Sequence, residues 1–213
     1  MAEQADLSAD EAERERRRRH HDAEHDWQSR DYVDSWIAKD RTREERRRPL
    51  FDQMIAAIPF PKTASIRVLD VGGGYGAVSD AVLAAFPNAS VTLQDYSQAM
   101  LGQARGHLSA YGARVSFALG DLCDRDWVAQ VQPPFDVAVS AIAIHNLMTM
   151  AAIAPVYADI RKLLKSGGVF IDYDHFDHVE SIDAHDAAMR RGGFVTVERL
   201  WYKVPTGIIR ATA

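Results

Sequence analysis

The chain has one cysteine, Cys123, among 213 residues, which excludes an internal disulfide. No apolar run is long enough to span a bilayer. The first residues carry too many charges for a secretory signal. There is no excess of positive charge: the formal net charge is −5, against broad non-specific nucleic-acid binding. No repeat at a period of about 20–50 residues is visible. These absences predict a cytoplasmic protein without a membrane span, held together by an apolar core. A hydrophobic content of 47% suffices for such a core.

What is present divides near residue 64. Residues 1–63 predict a charged helical extension. Ser8 to Glu11 form a candidate capping box, followed by pairs such as Glu13 and Arg17 at helical spacing. Arg16 to Arg19 form a basic run balanced by neighbouring acids. His20, His21 and His25 have no fixed ligand geometry, so no metal site is expected there. Apolar signal starts at Trp27. Tyr32 with Trp36, and Val33 with Ile37, fall on one helical face. Thr42 and Glu45 suggest a second capping box. Pro49 restricts Arg48 and is expected to start or kink the next helix, whose buried stripe is Leu50, Phe51, Met54, Ile55 and Ile58.

Residues 64–213 alternate between strand and helix patterns, which predicts a parallel α/β sheet covered on both faces. Strands are expected near 66–71, 91–95, 115–119, 136–140, 168–173, 194–202 and 207–212. Helices are expected near 76–86, 98–111, 124–131, 151–164 and 181–191. The last two strands are joined by the turn at Pro205 to Gly207, too short for anything but an antiparallel hairpin.

The first strand, Val68 to Val71, runs through Asp70 into Gly72-Gly73-Gly74-Tyr75-Gly76. Glycines let a backbone turn sharply and approach a ligand closely. Gly72, Gly74 and Ala77 match the dinucleotide pattern, but a carboxylate at Asp70 would repel a pyrophosphate. S-adenosylmethionine (SAM) has no phosphate and carries positive charge that tolerates acids. Two more acids end the next strands. Asp95 is placed for the ribose hydroxyls. Asp121 is placed for the adenine amino group, with Tyr96, Met100 and Leu122 as apolar cover. Ligands of such sheets bind at the C-terminal strand ends, which puts Asp70, Asp95, Asp121 and Ser140 on one rim.

With these motifs the chain resembles class I SAM-dependent methyltransferases, over VLDVGGGYG (68–76), VTLQDYSQAM (91–100), VSFALGDL (115–122), FDVAVSAIAIHNL (135–147), LLKSGGVFIDYDH (163–175) and GGFVTVERLWYK (192–203). The resemblance implies a Rossmann-like seven-stranded, mostly parallel sheet in the order 3-2-1-4-5-7-6. It implies SAM as cofactor, with Asp70, Gly72, Gly74 and Gly76 at its methionine end. It implies that Ser140 to Leu147 line the methyl-transfer pocket, which makes His145 a candidate base and Asn146 a substrate contact. His175 is a second candidate base after strand 5. Trp27, Tyr32 and Trp36 are then lid residues over cofactor and substrate. Methyl transfer to a small organic acceptor, at oxygen or nitrogen, is the expected function. No metal is expected, because the oxygen ligands of catechol-type enzymes cannot be assigned. Two alternatives stay open: an RNA or protein methyltransferase docking through the Arg-rich arm, and a SAM-binding protein without catalysis.

Overall fold

The computed structural model describes residues 25–213. The capping box at Ser8 and the Arg-rich run lie outside the described residues.

Seven strands form one sheet: β1 (Arg67–Val71), β2 (Ser90–Asp95), β3 (Val115–Leu119), β4 (Phe135–Ala141), β5 (Leu164–Asp174), β6 (Thr196–Lys203) and β7 (Thr206–Thr212). Their order is β3-β2-β1-β4-β5-β7-β6, as expected. The pairs among β1 to β5 are parallel, and β7 is antiparallel to both β5 and β6. A hairpin turn cannot return a chain to parallel pairing, so β7 must reverse.

The described helices are α1 (Arg30–Arg41), α2 (Glu44–Ala56), α3 (Ala77–Ala85), α4 (Gln98–His107), α5 (Met150–Leu163) and α6 (Ile182–Arg191). Side chains alternate across a strand, so each buried strand feeds two cores. Leu69, Val71, Ala138 and Phe170 face one layer with Tyr157 and Ile160 of α5 and Met189 of α6. Val68, Val137, Val139, Val169 and Ile171 face the other with Val82 and Leu83 of α3. Phe51, Met54, Ile55 and Ile58 join that second layer, with Leu50 packed against it, so the expected stripe of α2 is the buried one. Each such side chain contributes about 1.5–3 kcal/mol on burial.

The N-terminal segment is tied to the rim of the sheet. Val33 and Ile37 of α1 pack with Tyr75 and Met100. Ser29 caps α1 by accepting from the Tyr32 amide at 3.3 Å. The Ser97 hydroxyl accepts from the Met100 amide at 3.0 Å, capping α4, and donates to the Trp27 carbonyl.

Several local expectations are corrected. Thr42 ends α1 instead of capping α2, because its hydroxyl donates to the Lys39 carbonyl at 2.6 Å. α2 begins at Glu44 and runs through Pro49, which removes one backbone donor without stopping the helix. Residues 125–130 form a 3-10 helix, not an α-helix. The helix expected to reach 111 ends at His107, and a 3-10 segment follows that breaks at Gly112, where φ is 56°.

Gly76 has φ of 92° and precedes α3, and a Cβ there would lie 2.7 Å from Leu108 Cδ1. We expect Gly76→Ala to lower stability by roughly 2–4 kcal/mol, combining left-handed backbone strain with overpacking. Urea denaturation measures it, and an unchanged midpoint would refute this account of the turn.

Candidate functional site

The C-terminal ends of β1 to β5 open into a cavity of about 1130 Å³. Its floor is the glycine loop, and the loop's shape is set by the end of β2. Gln94 is fully buried. Its Oε1 accepts from the Gly72 amide at 3.1 Å, and its Nε2 donates to the Gly120 carbonyl at 2.6 Å. Asp95 Oδ2 accepts from the Gly74 amide at 2.9 Å, and its Oδ1 accepts from the Ser97 amide at 2.8 Å. Gly72 and Gly74 have φ of 63° and 54°. A Cβ on Gly72 would lie 2.6 Å from the Ala143 side chain, so the loop must be glycine to pass under the segment after β4.

Asp70, Gly72, Gly74, Asp95, Tyr96, Met100, Asp121 and Leu122 all line this cavity, as do Trp27, Trp36, His145, Asn146 and His175. Three expected residues do not. Gly76 packs against Leu108, away from the lining. Ser140 is buried, and its hydroxyl donates to the Val71 carbonyl at 2.9 Å. That bond braces β4 against β1 below the floor. Tyr32 stands behind Trp27, edge-on with ring centroids 5.3 Å apart, and its hydroxyl pairs with His25 Nδ1 at 2.5 Å.

Asp95 is also not on an exposed rim, as a strand-end acid was expected to be: it is buried. Burial pushes its pKa up to about 6, against the amide donors of Ser97, Gly74 and Tyr96. Burial likewise pushes Asp70 up to about 6, opposed by the Ser79 hydroxyl and assisted by the charge of Asp95. Ser79 donates to Asp70 Oδ2 at 2.6 Å, while Asp70 Oδ1 has no hydrogen-bond partner among the described residues. An unpartnered buried carboxylate oxygen beside a glycine loop suits a ligand that brings a donor or a positive charge.

Opposite the loop stands a dyad. His145 Nδ1 meets Asp174 Oδ1 at 2.5 Å, and the His145 amide donates to Asp174 Oδ2 at 2.9 Å. Asp174 ends β5, whereas His145 lies in the 3-10 helix Ile144–Leu147 after β4. Burial raises Asp174, but the charge and hydrogen bonds of His145 outweigh it and hold the carboxyl below its ordinary pKa. An ionised carboxylate only accepts, so Nδ1 carries the proton and Nε2 is the free basic nitrogen of neutral His145. Burial lowers the pKa of His145, and Asp174 more than compensates, leaving it raised. His175 accompanies it with ring centroids 5.1 Å apart, and its Nδ1 pairs with the Thr206 hydroxyl at 2.8 Å. Burial and the charges of His145 and His178 lower the pKa of His175. Among the described residues, no group of three acidic, histidine or cysteine side chains is arranged to hold a metal ion.

Sequence reasoning missed Gln94, Asp174 as the partner of His145, and the α2 side of the cavity, where Arg43, Arg46, Arg47 and Phe51 stand. Gln94 preceding a strand-end acid was the only signal for the first. The others depend on contacts across the fold.

Residues 68–168 match the model of the methyltransferase domain family. The malonyl-[acyl-carrier protein] O-methyltransferase of Neorickettsia risticii is 40% identical over 86 residues, covering 40% of this chain and 31% of that protein. The trans-aconitate 2-methyltransferase of Variovorax paradoxus is 36% identical over 94 residues, covering 44% of this chain and 33% of that protein. The chain thus spans about a third of the length of these relatives. An O-methyltransferase family protein from Burkholderia thailandensis superposes with a TM-score of 0.67 at 18% identity, over 83% of this chain and 58% of that one. Sheet order and these matches support a class I SAM-dependent methyltransferase.

Because Asp95 holds two amides, we expect Asp95→Ala to cost about 1–3 kcal/mol of stability in addition to weakening S-adenosylhomocysteine (SAH) binding. Thermal melts and calorimetry with SAH measure the two effects. A variant as stable as wild type would show that the loop amides find other partners.

Proposed function

We propose that the protein transfers a methyl group from SAM to the oxygen or nitrogen of a small organic acceptor. The observation that carries this reading is the His145–Asp174 dyad on the wall of the cavity whose floor is the glycine loop. In this reading residues 64–213 form the cofactor domain, and residues 1–63 form a helical extension whose Trp27 and Trp36 cover the site.

The residues present fit SAM. The partnerless Asp70 oxygen stands where a cationic amino-acid end needs an acceptor. Asp95 lines the cavity with carboxylate lone pairs available to two ribose hydroxyls. Asp121 faces the adenine end, with Tyr96, Met100 and Leu122 around it. SAM supplies, when bound, an electrophilic methyl on a sulfonium. His145 takes the acceptor's proton at Nε2, and Asp174 keeps the ring oriented and stabilises the imidazolium that forms. His175, held by Thr206, bounds the acceptor on the same side. The aromatic cover excludes water, which orients the displacement and suppresses side reactions.

Tritium transfer from labelled SAM into a metabolite extract tests the reading. Label in small molecules supports it. Label in RNA or protein would favour a polymer substrate, and none at all would favour a binding protein without turnover.

We expect His145→Ala to lower kcat by roughly 10²–10⁴ with SAH affinity unchanged. Loss of SAH binding instead would make His145 a cofactor contact. The turnover rate should rise with pH as His145 loses its proton, with a midpoint above the ordinary 6.5, because Asp174 raises its pKa. In Asp174→Asn that midpoint should move down, and a profile that does not move would remove His145 as the base.

Ligand hydroxyls hydrogen-bond better to an ionised carboxylate. SAH affinity should therefore fall as pH drops through about 6, where Asp95 and Asp70 gain protons. Calorimetry across that range checks it; a flat affinity would show that neither charge matters to binding.

A further inference from the structure

Three arginines line the cavity at the start of α2: Arg43, which precedes its first residue, and Arg46 and Arg47 in its first turn. Their spacing of three and four residues stacks like charges side by side, which is unfavourable in isolation. They also stand at the N-terminal end of α2, where the helix dipole opposes cations and favours anions. Of the three, only Arg47 has a carboxylate partner among the described residues. The Arg47 guanidinium is bonded to the Asp40 carboxylate and lies 5.7 Å from the Phe51 ring centre. The same Asp40 oxygen also accepts from the Tyr75 hydroxyl at 3.1 Å, so Asp40 is shared between Arg47 and that tyrosine. Arg43 and Arg46 have no carboxylate partner among the described residues.

The position of this pair indicates what it faces. Further along α2, Phe51 meets the Tyr173 ring of β5 with centroids 6.3 Å apart. Tyr173 immediately precedes Asp174, the carboxylate that holds His145. The acids Asp70, Asp95 and Asp121 come from the ends of β1, β2 and β3, whereas the arginines approach from α2, over β5. Apart from Asp40, which is bonded to Arg47, the charge in the cavity is therefore segregated: carboxylates from the glycine-loop side and guanidiniums from the α2 side. A concave wall concentrates the field of such unpaired cations.

We propose that Arg43 and Arg46 form an anion-binding site for the methyl acceptor, so that the acceptor carries a carboxylate or similar oxyanion beside its methylated atom. The proposal rests on reading this cavity as a methyl-transfer site. Guanidinium forks match such oxyanions with paired, charge-assisted hydrogen bonds. The same clamp turns the acceptor's reacting atom toward His145.

The test uses malonate as an anionic probe and malonamide as its neutral counterpart, each titrated into the full chain saturated with SAH at constant ionic strength. Tryptophan fluorescence or calorimetry reads binding. We expect malonate to bind and malonamide not to. Arg43→Ala/Arg46→Ala should weaken malonate by roughly 10- to 100-fold, and SAH affinity should stay unchanged. Arg43→Lys/Arg46→Lys should recover part of the malonate affinity, which separates lost charge from lost fold. Equal binding of malonate and malonamide, no malonate binding, or no effect of the alanine pair would overturn the site. A matching loss of SAH affinity would also overturn it, by assigning the arginines to the carboxylate of the cofactor. Absence of methyl transfer with malonate binding intact would remove the catalytic reading and leave the anion site standing.

Discussion

The cavity depends on how the end of β2 holds the loop after β1. A glycine loop by itself has many conformations and several unsatisfied amides. Gln94 and Asp95 supply buried acceptors for the Gly72 and Gly74 amides, and thereby select one conformation. Gln94 also reaches the Gly120 carbonyl after β3, so one amide side chain registers the ends of three strands. Asp95 reaches the Ser97 amide, so one carboxylate joins the loop to the start of α4. Ser97 carries the chain of contacts on to the Trp27 carbonyl, which seats the N-terminal segment over the cavity. Buried polar groups of this kind are unforgiving, because each unmet donor or acceptor loses its full solvation.

A second constraint runs through β5. Asp172 and Asp174 are two residues apart, and so point to the same face of the strand. Two buried carboxylates so close do not both ionise readily. Burial and the neighbouring charge push Asp172 well above the ordinary carboxylate range, while His145 keeps Asp174 below it. The two carboxylates are therefore driven in opposite directions, the one that faces the histidine toward its anion and its neighbour in the core away from it. The segment after β4 is held down against this strand by the Ile142 amide, which donates to the Tyr173 carbonyl at 2.7 Å. Ile142 itself has φ of 52°, an unfavourable backbone for a β-branched residue. Such a conformation persists only where the surroundings over-determine it, here next to the dyad.

Much of the fold was legible along the chain because its signals are local. Alternation of apolar strands with helical stripes, one glycine run and a short hairpin turn suffice for a mostly parallel sheet with one reversed strand. The stripe from Leu50 to Ile58 announced its own burial. Short-range competition was harder to read. Thr42 had two backbone groups within reach, and the carbonyl of Lys39 won it over the capping of α2. Pro49 marked a boundary that packing on the sheet overrode. Gly76 looked like part of a ligand loop, and its neighbour Leu108 decided otherwise.

The sequence by itself determined the rim of strand ends that lines the cavity. An acid at each of three strand ends and a glycine turn are fixed by residue type and spacing, and the parallel sheet brings strand ends to one edge whatever the details. Only the tertiary structure decided the rest. It buried Asp95 and Ser140, paired His145 with Asp174 across 29 residues, and left Arg43 and Arg46 without carboxylate partners among the described residues. The physical reason is range. Backbone preferences and apolar periodicity act over a few neighbours, whereas burial, ion pairing and pKa depend on which distant side chains arrive at the same place.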